Sequence, residues 1–198
     1  MNTFYLEKTS AGTQQLTFKT KLFEKRIIFI DCEITNESAN EFAQQIMLLQ
    51  AASDKPIYLF INSPGGSVRA GLAMLDVMRA SVCDINTVIY GCAASMAAII
   101  ASAGKRRYIS KSSQMMVHEP LIGGSGVAGS TSHFQSITND LLKLRKELNN
   151  LLCEFSGKPY KAISKLTSKD TYLSSDECIK TGFADEIISE TTLKEILD

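Results

Sequence analysis

Short apolar runs, each closed by a polar or glycine-containing turn and most followed by residues at helical spacing, divide the chain into repeated strand and helix units. Ile27 to Ile30 is a continuous apolar run of strand length, the pattern of a strand buried on both faces. The helix after it carries Phe42, Ile46 and Leu49 at i, i+4 and i+7, with Ser38 and Glu41 at capping-box spacing. Pro56 to Ile61 predicts a second strand, which ends in Asn62-Ser63-Pro64-Gly65-Gly66, and Val68, Leu72 and Leu75 mark one side of the next helix. A third strand starts at Ile85 and runs into a Gly-led turn at Gly91, after which Ser95 opens a helix of Ala, Ile and Met. Further strands fall near Arg107 to Ser110 and Gln114 to Val117, the second stopped by Glu119-Pro120 just beyond His118. The longest helix is marked by Phe134, Ile137, Leu141, Leu144, Leu148, Leu151 and Phe155, in alternating steps of three and four, and ends at Gly157. Pro159 to Leu166 predicts a short helix, Thr167 to Leu173 a polar turn, and Ser174 with Glu177 a capping box for a helix ending near Gly182.

Less patterned stretches flank this core. Residues Met1 to Gln15 predict a mobile arm, followed by an extended piece from Leu16 to Phe23. Ile122 to Ser132 is rich in Gly and Ser and predicts a surface excursion; joined to the long helix, residues 122–156 have the shape of an oligomerisation arm. No linker divides the chain, and 198 residues suffice for one α/β domain over 1–198. Ile85 to Gly104 holds no charge and has the length of a membrane span, but Asn86, Thr87, Gly91, Ser95 and Ser102 interrupt it, and its two halves have strand and helix composition.

Charge and cysteine usage narrow the classes. Lys plus Arg and Asp plus Glu both number 21, and no long basic run appears, so there is no electrostatic footprint for nucleic acid. Lys105, Arg106 and Arg107 read as a solvated strand end. The five cysteines are odd in number and contain no CxxC pair, which favours reduced thiols in a cytosol-like compartment over a disulfide framework or a zinc site. The first residues lack a basic region followed by an apolar core, so a cytoplasmic protein is expected.

Three predicted strand ends deliver, in order, Gly65-Gly66, Ser95 and His118, and ligands of open α/β sheets sit at the carboxyl ends of strands. A serine hydroxyl becomes a nucleophile only with a base beside it and donors facing the developing oxyanion. His118 is the candidate base, and the first amides of the helix after Ser95 are candidate donors. Blander readings stand beside these: Ser95 as core packing, Gly65-Gly66 as a plain turn, and Cys92 as either an alternative nucleophile or a small buried residue. His133 sits in a polar helix start and reads as solvated. Asp170 is able to orient an imidazole, but nine aspartates are present and spacing does not select among them.

With Asn62-Ser63-Pro64-Gly65-Gly66, Ala94-Ser95-Met96, Met116-Val117-His118-Glu119-Pro120 and Lys169-Asp170 in view, the chain resembles the proteolytic subunits of the Clp protease family, ClpP, from about Phe23 to Ile188. The resemblance implies a ClpP/crotonase-like α/β fold of repeated βα units with a protruding strand–helix handle at 122–156. It implies a serine endopeptidase in which Ser95 is the nucleophile, His118 the general base and then acid, and Asp170 the residue that fixes the tautomer. The backbone amides of Gly66 and Met96 would form the oxyanion hole. It further implies two stacked seven-membered rings, a tetradecamer, fed with unfolded polypeptides by a hexameric AAA+ unfoldase, and a peptidase needing no metal or cofactor. Four departures bear on this: Ala97 where the family usually has Gly, Cys92 where Gln is common, Ser168-Lys169 before Asp170 in place of an acid and Arg, and a longer handle strip. They keep open a second reading, a weakly active or structural subunit working in a mixed ring with a paralogue. An acyl-coenzyme A enzyme of the crotonase class is a third, against which the Ser/His pair argues.

Overall fold

The computed structural model describes residues 4–10, 12–121 and 129–197. The βα repeats are present, in an α/β fold. Strands β1 (Phe4–Thr9) and β2 (Gly12–Thr17) form a separate antiparallel hairpin where the sequence predicts an arm. The predicted extended piece after it is corrected: Phe18–Glu24 is helix α1, because Thr17 caps it by accepting the Thr20 amide at 3.0 Å. Strand β3 (Ile27–Ile30) leads into helix α2 (Asn36–Ala52). Its capping box is formed by Thr35 and Ser38, not by Ser38 and Glu41, so the helix begins earlier than the pattern suggested. Next come β4 (Ile57–Ser63), α3 (Val68–Ala80), β5 (Ile85–Ala94), α4 (Met96–Ser102), β6 (Arg107–Ile109) and β7 (Gln114–Val117). The remainder is α5 (Thr131–Ser156), α6 (Tyr160–Thr167), β8 (Thr171–Ser174), α7 (Ser175–Thr181), β9 (Glu186–Ile187) and α8 (Glu190–Leu197). Of the polar turn expected over Thr167 to Leu173, residues 168–170 are the turn, Thr167 closes α6 and Thr171 to Leu173 belong to strand β8; β9 and α8 were not foreseen.

Five strands run in parallel in the order β3-β4-β5-β6-β9. Alternation along them separates two cores. Ile28, Ile30, Leu59, Ile61 and Ile89 face α2, α3 and α4 in the large cluster, while Ile27 and Val88 face the smaller one closed by Tyr108 and Ile196. The chain's left-handed Arg26 clamps one end of this frame: its guanidinium donates to the carbonyls of Leu49, Ser53, Lys55 and Pro56, carbonyls at the end of α2 and just beyond it.

What positions the site is a fork in β5. Residues 87–89 pair with β6, whereas residues 92–94 pair with β7, which in turn pairs antiparallel with β8. Helix α5 packs its C-terminal half against this end through Leu148, Leu151 and Leu152 and stops at left-handed Gly157, while most of its first half is exposed. Residues 122–128 of the predicted handle strip lie outside the described residues.

Candidate active site

Ser95 stands between β5 and α4 with φ 55° and ψ −120°, a backbone that a side-chain-bearing residue adopts only when its surroundings enforce it. Three contacts do so. The Ser95 amide donates to the Met116 carbonyl at 2.8 Å, its carbonyl accepts from Ala98 at 3.0 Å, and Gly65 lies so close behind that a Cβ there would fall 2.5 Å from the Ala94 oxygen and 2.9 Å from Ser95 Cβ. The hydroxyl makes no capping bond and instead lies 2.7 Å from His118 Nε2.

The ladder explains this meeting. Parallel pairing sets Ala94 against Met116, so the residues just past the two strand ends, Ser95 and His118, fall side by side. Antiparallel pairing sets Val117 against Thr171, and the next position outward joins His118 to Asp170. Asp170 Oδ1 lies 3.4 Å from His118 Nδ1, which is buried and makes no hydrogen bond among the described residues. The imidazole side chain is 14% exposed and the carboxylate 66%, so the ring nitrogen is shielded while the carboxylate beside it meets water.

Gly66 forms a parallel bridge with Ile34, through bonds from Ile34 N to Gly65 O and from Ser67 N to Ile34 O, each 2.8 Å. Alternation along this extended backbone turns the Gly66 amide to the opposite side. Its φ of 146° and the Ile34 oxygen, 2.3 Å from where a Cβ would stand, admit only glycine. The Met96 amide is the first of α4, close against Gly65. At seven residues α4 is too short for a helix dipole to add much, which leaves its first amides themselves as the candidate donors.

Beside Ser95 and His118 is a depression of about 20 Å³, lined by Val68, Ile99, Pro120, Leu148, Asn149 and Leu152 among others. Asn149 went unnoticed in the sequence, although an Asn on the apolar stripe of α5 was a visible signal; it is buried and accepts from the Thr167 hydroxyl at 3.0 Å. Glu119 next to the histidine pairs with Arg145 of α5 at 3.2 Å, tying the helix to the strand end.

Other expected features divide. Cys92 is half-buried, and burial pushes its thiol pKa up, away from the thiolate that nucleophilic attack requires. Arg107 corrects the reading of its basic cluster: it is not solvated but donates to the carbonyls of Phe155 and Gly182 and pairs with Asp185. Arg106 and His133 are exposed as expected. All five thiols are free. Among the described residues no group of His, Cys, Asp and Glu could hold a metal ion, and no helix is long and apolar enough to cross a membrane.

A serine hydroxyl in hydrogen-bond contact with an imidazole that has a carboxylate on its other side is the arrangement of a serine hydrolase, here at the carboxyl ends of parallel strands. The profile of the Clp protease family matches residues 10–191. The ATP-dependent Clp protease proteolytic subunit of Streptococcus mutans is 38% identical over 192 residues, 96% of this chain and 97% of that protein. The chain belongs to the Clp protease family.

Proposed function

We propose that Ser95, His118 and Asp170 form the catalytic triad of this chain, a serine endopeptidase that is the proteolytic core of an ATP-dependent protease. The observation that carries the reading is the 2.7 Å contact between Ser95 Oγ and His118 Nε2. With the neutral imidazole carrying its proton on Nδ1, Nε2 accepts the serine proton as Oγ attacks the scissile carbonyl carbon. The carbonyl's electron pair moves onto its oxygen, which the Gly66 and Met96 amides receive as an oxyanion hole. Gly66's turned amide and the first amide of α4 support that assignment, and one such donor is typically worth about 3–4 kcal/mol. His118 then gives its proton to the departing amine, and water releases the acyl group by the same steps in reverse. Asp170 holds the tautomer and stabilises the imidazolium. No metal or cofactor enters this scheme.

The family and the relative's printed name support a Clp ATPase as partner. We further propose a single peptidase domain over 1–198 that assembles into seven-membered rings, stacked as a tetradecamer, and receives unfolded polypeptides from a hexameric AAA+ unfoldase. The exposed first half of α5 supports its use as a ring-to-ring handle. Five free cysteines support work in the cytoplasm. A mixed ring with a paralogue needs no invoking for the chemistry, since the Ser95 to His118 contact is made within this chain.

The test is labelling of the purified assembly with a serine-directed phosphonate, alongside hydrolysis of a short fluorogenic peptide. Phosphonate on Ser95, located by mass spectrometry, and loss of hydrolysis in a folded Ser95→Ala variant are expected. Undiminished hydrolysis by that variant refutes the assignment.

A further inference from the structure

Strands β4 and β5 run as a regular parallel pair from Ile57 opposite Ile85 to Ile61 opposite Ile89; the next pair is Ser63 opposite Ala93. Asn62 alone thus spans Tyr90, Gly91 and Cys92, and β5 bulges. This bulge lies where β5 leaves β6 and joins β7. Ser95 follows three residues beyond Cys92, on the branch of β5 that pairs with β7 and so lies beside His118. Asn62 fills the place of the missing ladder contact: its Oδ1 accepts the Cys92 amide at 3.0 Å. Its side chain also occupies the space over Gly91, where an added Cβ would stand 2.5 Å from Oδ1 and 2.8 Å from Cγ. The neighbouring Ser63 hydroxyl donates to the Cys32 carbonyl at 2.5 Å and accepts the Gly65 amide at 3.2 Å, so the same strand end secures the glycine loop behind Ser95. Asn is a poor strand former, and at this exposed position no apolar contact accounts for it. The bulge amide accounts for it.

We propose that Asn62 is a positioning residue for peptide-bond cleavage: through the Cys92 amide it fixes the β5 bulge and hence the alignment of Ser95 with His118, without touching substrate. The proposal rests on the reading of Ser95 as nucleophile. A shift of about 1 Å in a reacting group can cost on the order of 100-fold in rate. Truncating Asn62 is therefore expected to act on kcat and to leave KM alone.

The experiment measures kcat and KM on a fluorogenic peptide, with Tm and native mass, for the assembled wild type, Asn62→Ala, Asn62→Asp, Gly91→Ala and Ser95→Ala. Asn62→Ala should assemble normally and lose about 10- to 100-fold in kcat with KM within about twofold. Asn62→Asp keeps an acceptor oxygen and should recover to within about threefold of wild type. A folded Gly91→Ala, which drives a methyl into Oδ1, should lose kcat in parallel. The proposal is overturned if Asn62→Ala keeps kcat within twofold, if its loss lies in KM, if Asn62→Asp is as slow as Asn62→Ala, or if Gly91→Ala is unaffected. It is also overturned if Asn62→Ala does not fold, since the side chain would then be a determinant of folding. Activity in Ser95→Ala removes the nucleophile reading itself, whereas an inactive Ser95→Ala beside a fully active Asn62→Ala removes only this inference.

Discussion

Replacing Asp170 by Asn keeps the shape of the side chain and removes the charge that, in the proposed triad, faces the imidazolium of the transition state. At the 3.4 Å between Oδ1 and Nδ1 the two charges attract by about 1.2 kcal/mol in a water-like medium and about 5 kcal/mol at an effective dielectric of about 20. The carboxylate is 66% exposed, which places the interaction near the lower limit. At about 1.4 kcal/mol per tenfold, charge loss alone slows the reaction roughly tenfold. The amide also offers an NH2 group to Nδ1 in place of an acceptor, which favours the wrong tautomer and adds to the loss. We expect kcat to fall about 10- to 100-fold, against the roughly 10⁴-fold cost of the same change where the aspartate is buried. The assay is steady-state hydrolysis of a fluorogenic peptide at low and high salt, and the gap between wild type and variant should narrow at high salt. Activity within twofold of wild type would remove Asp170 from the mechanism. A 10⁴-fold loss would show that the carboxylate acts in a water-excluded site and refute the reasoning from its exposure.

Arg107 joins the ends of two helices to β6, bonding Phe155 O at 2.6 Å and Gly182 O at 2.8 Å as well as Asp185, so Arg107→Met should cost about 2–4 kcal/mol in denaturant unfolding. A cost below about 0.5 kcal/mol would contradict its role as a clamp. Burial works to raise the Asp185 pKa, but the hydrogen bond and charge of Arg107 outweigh it and hold the carboxyl below its ordinary value. Its stabilisation is therefore present above the unfolded-state pKa and lost as pH falls through the folded one; the stability gap between wild type and Asp185→Asn should close in acid, and a constant gap would disprove the linkage. Among the thiols, Cys32 is exposed while burial pushes Cys178 up to about 12, so native alkylation near neutral pH should modify Cys32 first and spare Cys178 until unfolding. Equal modification rates by mass spectrometry would refute this.

Periodicity revealed the strands and helices that bury a face, such as Ile27–Ile30 and the Phe42, Ile46, Leu49 stripe, because burial is what the hydrophobic pattern records. It failed where local hydrogen bonding decides. Thr17 and Thr35 set helix starts through side-chain bonds that a short polar sequence only weakly advertises. Arg107 was misread because a charged residue next to basic neighbours looks solvated, and the carbonyls it satisfies lie 48 and 75 residues away in sequence. Ser95 and His118 were legible as strand-end residues, and strand ends converge once the strands are parallel.

Asp170 is the instructive case, since nothing local distinguishes it from the other eight aspartates. Its placement follows from the antiparallel register of β7 and β8, in which Met115 faces Leu173 and Met116 faces Tyr172. Met115 and Leu173 are both buried, while Tyr172 is 60% exposed. A slip of one residue would turn Leu173 outward and bury Tyr172 in its place, so the apolar pair pins the register. Only with that register does the position beyond Val117 and Thr171 join His118 to Asp170. The acid of the site is thus selected by a hydrophobic contact three residues away from it, on a strand whose four residues, Thr171 to Ser174, are too short and too polar to declare themselves as strand before the partner is known.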